Sequence, residues 1–195
     1  RTFGIDATIE RAGTSHISII DQHGNAVAMT TTIEGAFGSH LWAAGFFLNN
    51  ELTDFSFMPV DKEGLAVANR IEGGKRPRSS MSPTIVFDKS GALEIVTGSP
   101  GGTSIILYVT KTLVALIDWD KSAQDAATLP NFGSDGGAFQ MEDGQLAFWP
   151  TLMLKTYGHE VVNRAMTSGT HTIVRRNGLL EGGADPRREG AALGD

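Results

Sequence analysis

The 195-residue chain contains no cysteine, which excludes disulfide bonds, thiolate metal sites and a cysteine nucleophile. It has no surplus of positive charge either, since 16 Lys and Arg oppose 22 Asp and Glu. A net charge of −6 argues against a nucleic-acid surface, because phosphate binding requires clustered Lys and Arg. No apolar run approaches the roughly 18 residues of a membrane-spanning helix. The composition, with 41% hydrophobic and 19% charged residues, instead indicates a globular protein, and the length favours a single domain.

Local patterns predict three β-hairpins and three helices. Each hairpin pairs two strand-like runs across a short turn: residues 15–20 with 26–33, 83–87 with 93–97, and 171–175 with 179–184. Helical apolar spacing and capping residues predict helices at 103–119, 122–129 and 151–157. Hairpins, then helices, then another hairpin predict an α+β fold with an antiparallel sheet, rather than a doubly wound parallel sheet.

Hydroxyl side chains are the leading candidates for a nucleophile in a chain without cysteine. The chain has no Gly-x-Ser-x-Gly motif, and its five histidines show neither the spacing of a catalytic triad nor that of a metal site. His16 lies on a predicted strand, where we expect a structural histidine rather than a base. No metal and no cofactor are predicted.

The segment 98–103, Gly-Ser-Pro-Gly-Gly-Thr, joins a predicted strand to a predicted helix. Three interpretations remain open: a tight turn, a phosphate cradle or an oxyanion hole. The Lys-Ser/Thr ending of a Walker loop is missing. In an oxyanion hole, the amides of Gly101 and Gly102 would lie near a helix N-terminus, whose dipole favours negative charge. The pattern by itself favours the turn.

Two other groups of polar residues suit a charged substrate. Residues 76–83 combine arginines with adjacent hydroxyls, which is typical of a carboxylate site and equally of a solvated basic turn. Three acids suit an ammonium group or are ordinary surface acids: Glu34, Glu51 and Asp54. Taken alone, these residues describe a globular α+β protein with hydroxyl-rich loops and do not select one site.

Six short blocks, spread over nearly all of residues 14–195, carry the most specific signal in the sequence. They are residues 14–21 (TSHISIID), 24–28 (GNAVA), 48–50 with 54–56 (LNN and DFS), 75–84 (KRPRSSMSPT), 97–102 (TGSPGG) and 184–187 (ADPR). In this order they resemble the small, C-terminal subunit of the γ-glutamyltranspeptidases, which are N-terminal-nucleophile hydrolases. The ordered set, rather than any one block, makes the resemblance specific.

The resemblance implies a fold and a domain organisation. The family fold is an αββα sandwich, of which this chain would supply a portion with antiparallel sheets. Residues 1–13 would be the end of the pro-segment or large-subunit region, and residues 14–195 the small-subunit catalytic domain. Autocleavage between Gly13 and Thr14 would expose Thr14 as the nucleophile, with its own α-amino group as the base, since the ordinary pKa of that amine is about 7.7–8.0. An uncleaved chain is expected to be inactive.

The resemblance also implies roles for individual residues. Thr32 matches the threonine that orients the nucleophile, and Gly101 and Gly102 match the oxyanion-hole pair. Residues that match the substrate-binding positions are Ser79 and Ser80 for the α-carboxylate, Asp54 for the α-ammonium, and Glu34 and Glu51 beside it. The last two stand where the family often has amide side chains.

Partners follow from the same resemblance. The large subunit of the same precursor is expected to form a heterodimer with this chain, within a possible dimer of heterodimers, and it would supply an arginine for the substrate carboxylate. Trp42 and residues 46–48 are candidates for the surface that it covers, with burial inside this domain as the alternative. Neither nucleic acid nor a membrane span in this chain is expected, and the family suggests a periplasmic or secreted location.

The implied function is γ-glutamyl hydrolysis and transfer, acting on glutathione and related γ-glutamyl amides through a threonyl acyl-enzyme. One alternative is a related acylase of the cephalosporin acylase type, which shares the fold and these motifs; Glu34 and Glu51 are the positions where its acyl specificity would differ. The other is a non-catalytic homologue that serves as a binding subunit. Such a homologue would be expected to lose Thr14, Thr32 or the glycine pair, and the chain retains them all.

Overall fold

A computed structural model describes residues 2–4, 13–144 and 148–194. The chain divides into two compact units, a division that its length did not predict. The first unit comprises Arg1–Thr14 and Thr32–Ser80, and the second comprises Ser15–Thr31 and Met81–Asp195. Most of the predicted upstream segment, residues 1–13, lies outside the described residues.

The described residues form eleven strands and three α-helices. The strands are β1 (Thr14–Ile20), β2 (Ala26–Thr32), β3 (Trp42–Ala43), β4 (Phe46–Phe47), β5 (Thr84–Phe87), β6 (Leu93–Gly98), β7 (Phe132–Gly133), β8 (Phe139–Glu142), β9 (Val161–Arg164), β10 (His171–Arg176) and β11 (Leu179–Ala184). The helices are α1 (Ile105–Ile117), α2 (Ala123–Thr128) and α3 (Phe148–Thr156). None of these helices is long and apolar enough to cross a membrane.

The second unit is built around a four-stranded antiparallel sheet with the order β11-β10-β6-β5. Ile95 is the cross-strand partner of both Val174 and Val86, so these side chains share one face. Residues of α1 and α2, among them Leu116 and Ala126, complete a buried apolar cluster with that face. The sheet and its helices confirm the predicted α+β class.

Two local signals in this unit are confirmed. Ser122 caps α2 as predicted, because its side chain accepts a hydrogen bond from the amide of Asp125 at 3.0 Å. The turn between β10 and β11 places Asn177 and Gly178 at φ angles of 52° and 79°, as the Asn-Gly pair predicts. Before α1, residues Gly102–Ser104 form a 3₁₀ turn.

Two expectations about regular structure were wrong. Helix α3 begins at Phe148, not at residue 151, because Pro150 lies in the first turn, where a missing amide costs nothing. The strands β7, β8 and β9 form a further sheet that local patterns did not predict. Within it β8 and β9 pair in parallel, unlike the strands of the predicted hairpins.

Strand β1 has one buried and one exposed face. His16 is buried, whereas Ile17 and Ile19 are 42% and 50% exposed. On the paired strand β2, Val27 and Met29 are likewise exposed, at 48% and 45%. The hairpin therefore leaves its apolar face uncovered in this chain and buries its more polar face.

The first unit contains little regular structure. Strands β3 and β4 have two residues each, and a 3₁₀ helix spans Glu51–Asp54. Trp42 packs edge-on against Phe47 with ring centroids 4.8 Å apart, yet Trp42 is 64% exposed. Phe46 and Leu48 are exposed as well, so the sequence-predicted partner surface is largely open rather than buried in this domain.

Candidate active site

The peptide bond between Gly13 and Thr14 lies at the start of β1. The hydroxyl of Thr32 donates a hydrogen bond to the Gly13 carbonyl oxygen at 3.3 Å and accepts one from the amide of Glu34 at 2.8 Å. Thr14 itself is buried, with 8% of its surface exposed. A Cβ atom at Gly13 would overlap the carbonyl oxygen of Glu34, so only glycine permits this backbone approach. The structure thus places a hydrogen-bond donor on the carbonyl next to the predicted nucleophile.

Asn50 connects the strand end after Thr32 with the turn that carries two of the acids. Its side-chain oxygen accepts a hydrogen bond from Gly35 at 2.9 Å, and its side-chain nitrogen donates to the carboxylate of Glu34 at 3.1 Å. The same nitrogen donates to the hydroxyl of Thr53 at 3.1 Å, inside the Glu51–Asp54 helix. Asn50 therefore connects Glu34 with the short helix that carries Glu51 and Asp54.

Glu34 holds an unusual backbone conformation for a glutamate. Its φ angle is 67°, in the left-handed region where a side chain costs about 1–2 kcal/mol. Asparagine tolerates that region better than glutamate does, since its short side chain hydrogen-bonds locally. Glu34 is nevertheless 92% buried by the surrounding chain, with its carboxylate bound to Asn50. The strained backbone at Glu34 indicates that the position of its carboxylate is constrained.

The carboxylates influence one another. Burial raises the pKa of Glu51 above its usual range, and the negative charge of Glu34 raises it further, while a hydrogen bond with Asp54 acts in the opposite direction. The like charges of Glu34 and Glu51 favour a bound cation, which would relieve their repulsion. The arrangement suits an ammonium group.

Asn69 ties Asp54 to the segment that carries the two predicted serines. Its side-chain nitrogen donates to the Asp54 carbonyl at 2.6 Å, and its side-chain oxygen accepts from the amide of Arg78 at 3.0 Å. Ser79 and Ser80 follow Arg78 directly; Ser79 is exposed and Ser80 is half-buried. The predicted ammonium and carboxylate sites are thus joined by one side chain.

The glycine loop lies between β6 and α1 in the second unit. Gly101 has a φ angle of 142°, and a Cβ atom there would overlap the ring of Tyr108, so a side chain is excluded on both grounds. Gly102 has a φ angle of 60° and starts the 3₁₀ turn that leads into α1. Two consecutive amides therefore precede a helix, as in a site for a developing negative charge.

His16 behaves as the structural histidine that was expected. One ring nitrogen bonds to the Thr30 hydroxyl at 2.8 Å and the other to the Ser18 hydroxyl at 3.1 Å. Burial, together with the nearby His171, lowers its pKa to about 4. A Cβ atom at Gly98 would overlap the His16 ring, so β1 packs closely against the end of β6.

The predicted site residues are distributed unequally between the units. Eight of them belong to the first unit: Gly13, Thr14, Thr32, Glu34, Glu51, Asp54, Ser79 and Ser80. Gly101 and Gly102 belong to the second. Sequence reasoning missed Asn50 and Asn69, whose only signal was their position inside or beside the recognised blocks, and Tyr108, which packs under the glycine loop.

Comparison with solved structures identifies the fold. A solved acivicin-inhibited gamma-glutamyltranspeptidase aligns with a TM-score of 0.79 and 35% identity, over 89% of this chain and 98% of that one. The Pseudomonas nitroreducens gamma-glutamyltranspeptidase complexed with L-DON aligns with a TM-score of 0.79 and 30% identity, over 92% and 98%. The chain thus has the α+β fold of the N-terminal-nucleophile hydrolases.

The sequence comparisons identify the family. The family model described as Gamma-glutamyltranspeptidase matches residues 2–195, and the chain belongs to that family. It is 38% identical to the glutathione hydrolase proenzyme of Escherichia coli over 93% of this chain, and 35% identical to that of Bacillus subtilis, also over 93%. The chain spans about a third of the length of these relatives, 32% and 30%.

Proposed function

We propose that residues 14–195 form the small catalytic subunit of a γ-glutamyl hydrolase and transferase, with residues 1–13 as the end of the region upstream of a cleavage site. The relatives named glutathione hydrolase support glutathione as the default donor. The observation that carries the proposal is the hydrogen bond from Thr32 to the Gly13 carbonyl. It activates the one bond whose cleavage gives Thr14 a free amine.

Autocleavage is the first step of the proposed mechanism. The hydroxyl oxygen of Thr14 attacks the Gly13 carbonyl carbon, which the Thr32 hydroxyl polarises. The Gly13–Thr14 C–N bond then breaks, the hydroxyl proton passes to the leaving nitrogen, and an ester links Gly13 to Thr14. Water hydrolyses this ester, which releases the Gly13 carboxylate and regenerates the Thr14 hydroxyl beside a free α-amine.

Turnover uses that amine as the general base. The ordinary pKa of an α-amine, about 7.7–8.0, suits it to take the hydroxyl proton near neutral pH. Thr14 attacks the γ-amide of the donor, and the amides of Gly101 and Gly102 stabilise the tetrahedral oxyanion. The amine leaves with the proton, and the γ-glutamyl ester of Thr14 passes to water or to an amino-acid acceptor.

The first unit would bind the γ-glutamyl group by its charges. Three carboxylates suit the α-ammonium: Glu34, which Asn50 binds, and Glu51 and Asp54 on the helix that Asn50 contacts through Thr53. The hydroxyls of Ser79 and Ser80 suit the α-carboxylate, and Asn69 ties their segment to Asp54. A glutaryl donor lacks the ammonium and would leave the three carboxylates uncompensated. The charges therefore favour a γ-glutamyl donor over the donor of a glutaryl acylase.

The remaining part of the precursor would be the partner. Trp42 and Phe46 in the first unit are exposed, as are Ile17 and Met29 on the β1–β2 hairpin of the second. Exposed apolar surface of this extent is typical of a protein interface. A large subunit from the same precursor is the natural occupant, since the relatives are about three times as long as this chain.

The test is intact mass and N-terminal sequencing of the chain expressed with its large-subunit region. We expect a species that begins at Thr14, and none from Thr14→Ala, while Thr14→Ser retains cleavage. A γ-glutamyl anilide and a glutaryl anilide, assayed on the cleaved protein, then distinguish the two acyl specificities. If the parent chain stays intact with the large-subunit region present, the protein is a stalled precursor or a binding subunit. The catalytic roles would then be withdrawn.

A further inference from the structure

The Ser99 hydroxyl forms two hydrogen bonds, one within the glycine loop and one with a segment that packs against the loop. Ser99 is fully buried, and its hydroxyl donates to the carbonyl oxygen of Pro100 at 2.7 Å. The same oxygen accepts a hydrogen bond from the amide of Gly169 at 3.1 Å. The hydroxyl is therefore fixed between the loop and a distant segment, residues 168–170.

This arrangement restrains the amide of Gly101, the first of the two proposed oxyanion donors. The Pro100 carbonyl and the Gly101 amide belong to the same peptide group, which is planar and trans, so their directions are opposite and coupled. A bond that fixes the Pro100 oxygen also fixes the direction of the Gly101 N–H. Gly101 has no side chain to hold it, and its φ angle of 142° is one that few residues adopt. Ser99 supplies the missing restraint.

The 168–170 segment packs against the loop as well as binding it. A Cβ atom at Gly169 would lie 2.7 Å from the Pro100 ring and 2.7 Å from the Arg188 side chain. Glycine at this position lets the two backbones approach until the Gly169 amide reaches Ser99. A shift of the segment would therefore move Ser99 and Pro100 together.

Asp185 holds the same segment from the other side. One carboxylate oxygen accepts the hydroxyl of Ser168 and, at 3.4 Å, the amide of Thr170. The other accepts the Arg187 amide at 3.0 Å and the Arg187 guanidinium at 2.9 Å. Burial acts to raise the pKa of Asp185, but the Ser168 and Arg187 bonds outweigh it and hold the pKa below the usual range. Glu142 holds Arg187 in turn, at 2.5 and 2.8 Å.

We propose that Ser99 is a positioning residue that aims the Gly101 amide at the oxyanion, and that Asp185 supports it through Ser168 and the 168–170 segment. The inference rests on the proposed function, because it assigns Gly101 to the oxyanion hole. Ser99 touches no reacting atom. It acts by removing the freedom of one peptide group before the transition state forms, which is how preorganised donors contribute to catalysis.

The experiment compares variants of the chain expressed and cleaved with its large-subunit region, with rates normalised to the cleaved fraction by intact mass. Removing a whole oxyanion donor costs roughly 10²–10³ in kcat, so misaiming one should cost about 10-fold to 100-fold for Ser99→Ala. Ser168→Ala removes the hydroxyl that bonds to Asp185 and Asn131 but leaves the bond between Thr170 and Asp185, so it should cost less. Thr172→Val is the matched control, since it removes a buried hydroxyl of the same sheet, which bonds to the Thr97 hydroxyl.

Two inhibitors separate positioning from general damage. A boronic acid analogue of the γ-glutamyl group forms a tetrahedral adduct on the nucleophile, whereas glutamate binds without one. We expect Ser99→Ala to weaken the boronate in proportion to kcat/KM, with KM and the glutamate affinity unchanged. Thr172→Val should match the parent in all four measurements.

Each contrary result has a definite meaning. A Ser99→Ala enzyme with parental kcat and boronate affinity overturns the positioning role alone, and so does an equal loss of boronate and glutamate affinity. If Ser99→Ala does not fold, Ser168→Ala decides by the same criteria. A parent protein that releases no acyl group from γ-glutamyl anilide overturns the proposed function, and the positioning role with it.

Discussion

The two units position their polar groups by different interactions. The second unit has a four-stranded sheet with helices packed on it, and it contains twelve of the fourteen buried hydrophobic side chains among the described residues. The first unit contributes only Phe55 and Val67 to that set. Among its described residues, three that are not glycine have a positive φ angle: Glu34, His40 and Ala44.

This difference shows which interactions position the proposed functional groups in each unit. In the second unit, close packing of Tyr108 under Gly101 fixes backbone amides. In the first unit, the side-chain amides of Asn50 and Asn69 hold the carboxylates and the serine segment in place of a core. Segments with few buried apolar contacts open more easily. We therefore expect function to be sensitive to the loss of single polar side chains in the first unit and to changes of packing in the second.

The largest effect is expected from Gly101→Ala in the second unit. The new methyl group would overlap the Tyr108 ring at a φ angle closed to alanine, so the loop must move. We expect at least ~100-fold loss in kcat, as for loss of an oxyanion donor. Gly102→Ala is the comparison, because its Cβ would enter open space and its φ angle of 60° costs about 1–2 kcal/mol. If steady-state kinetics show equal losses of kcat for the two variants, packing against Tyr108 does not position the Gly101 amide.

The next effect is expected from Thr32→Val in the first unit. This change keeps the side-chain shape but removes the hydroxyl that donates to the Gly13 carbonyl and accepts from the Glu34 amide. We expect autocleavage to slow by about 100-fold, the lower range for removal of one donor to an oxyanion. Thr32→Ser keeps the hydroxyl and should cleave near the parental rate. A mass-spectrometric time course measures both, and rapid cleavage of the valine variant would count against the proposed step.

Asn50→Ala is expected to have an intermediate effect that is confined to binding. It removes the bonds that connect Glu34, Gly35 and Thr53, so the carboxylates lose their common support. We expect KM for a γ-glutamyl donor to rise about 10-fold, the result of losing roughly 1.4 kcal/mol, with kcat within a factor of two. Asn49→Ala is the adjacent control, whose side chain accepts a bond from Glu51. An unchanged KM would mean that the carboxylates are held without Asn50.

The smallest effect concerns the charge of Glu34. The pKa of Glu51 is raised, so its carboxylate is lost as the pH falls through that raised value, and ammonium binding weakens on the acid side. Glu34→Gln removes the repelling charge and lowers the pKa of Glu51. The acid limb of kcat/KM should then move to lower pH. The free energy of unfolding should also rise at neutral pH, where the ionised Glu51 is costly.

Glu63→Gln provides the control for that experiment, since it removes the same charge from an exposed turn of the first unit. Its pH profile should overlay that of the parent protein. If Glu34→Gln leaves the acid limb of the kcat/KM profile unchanged, Glu34 and Glu51 do not interact across the site.

The sequence by itself determined the local elements and the family. Ser122 at the start of α2 and the Asn-Gly turn between β10 and β11 depend on neighbouring residues, so patterns were sufficient to predict them. The ordered blocks from residue 14 to residue 187 predicted the family, which the family model confirms. The roles of Thr14, Thr32 and the glycine pair stay predictions.

Only the tertiary structure decided which side chains support those residues. The parallel pairing of β8 with β9, the buried face of β1 and the contacts of Asn50 and Asn69 join residues from separate elements. Ser99 and Gly169 are seventy positions apart, yet a single hydrogen bond connects them. Periodicity and capping report interactions within a few residues, whereas these contacts exist only after the chain has closed long loops, so no local pattern encodes them.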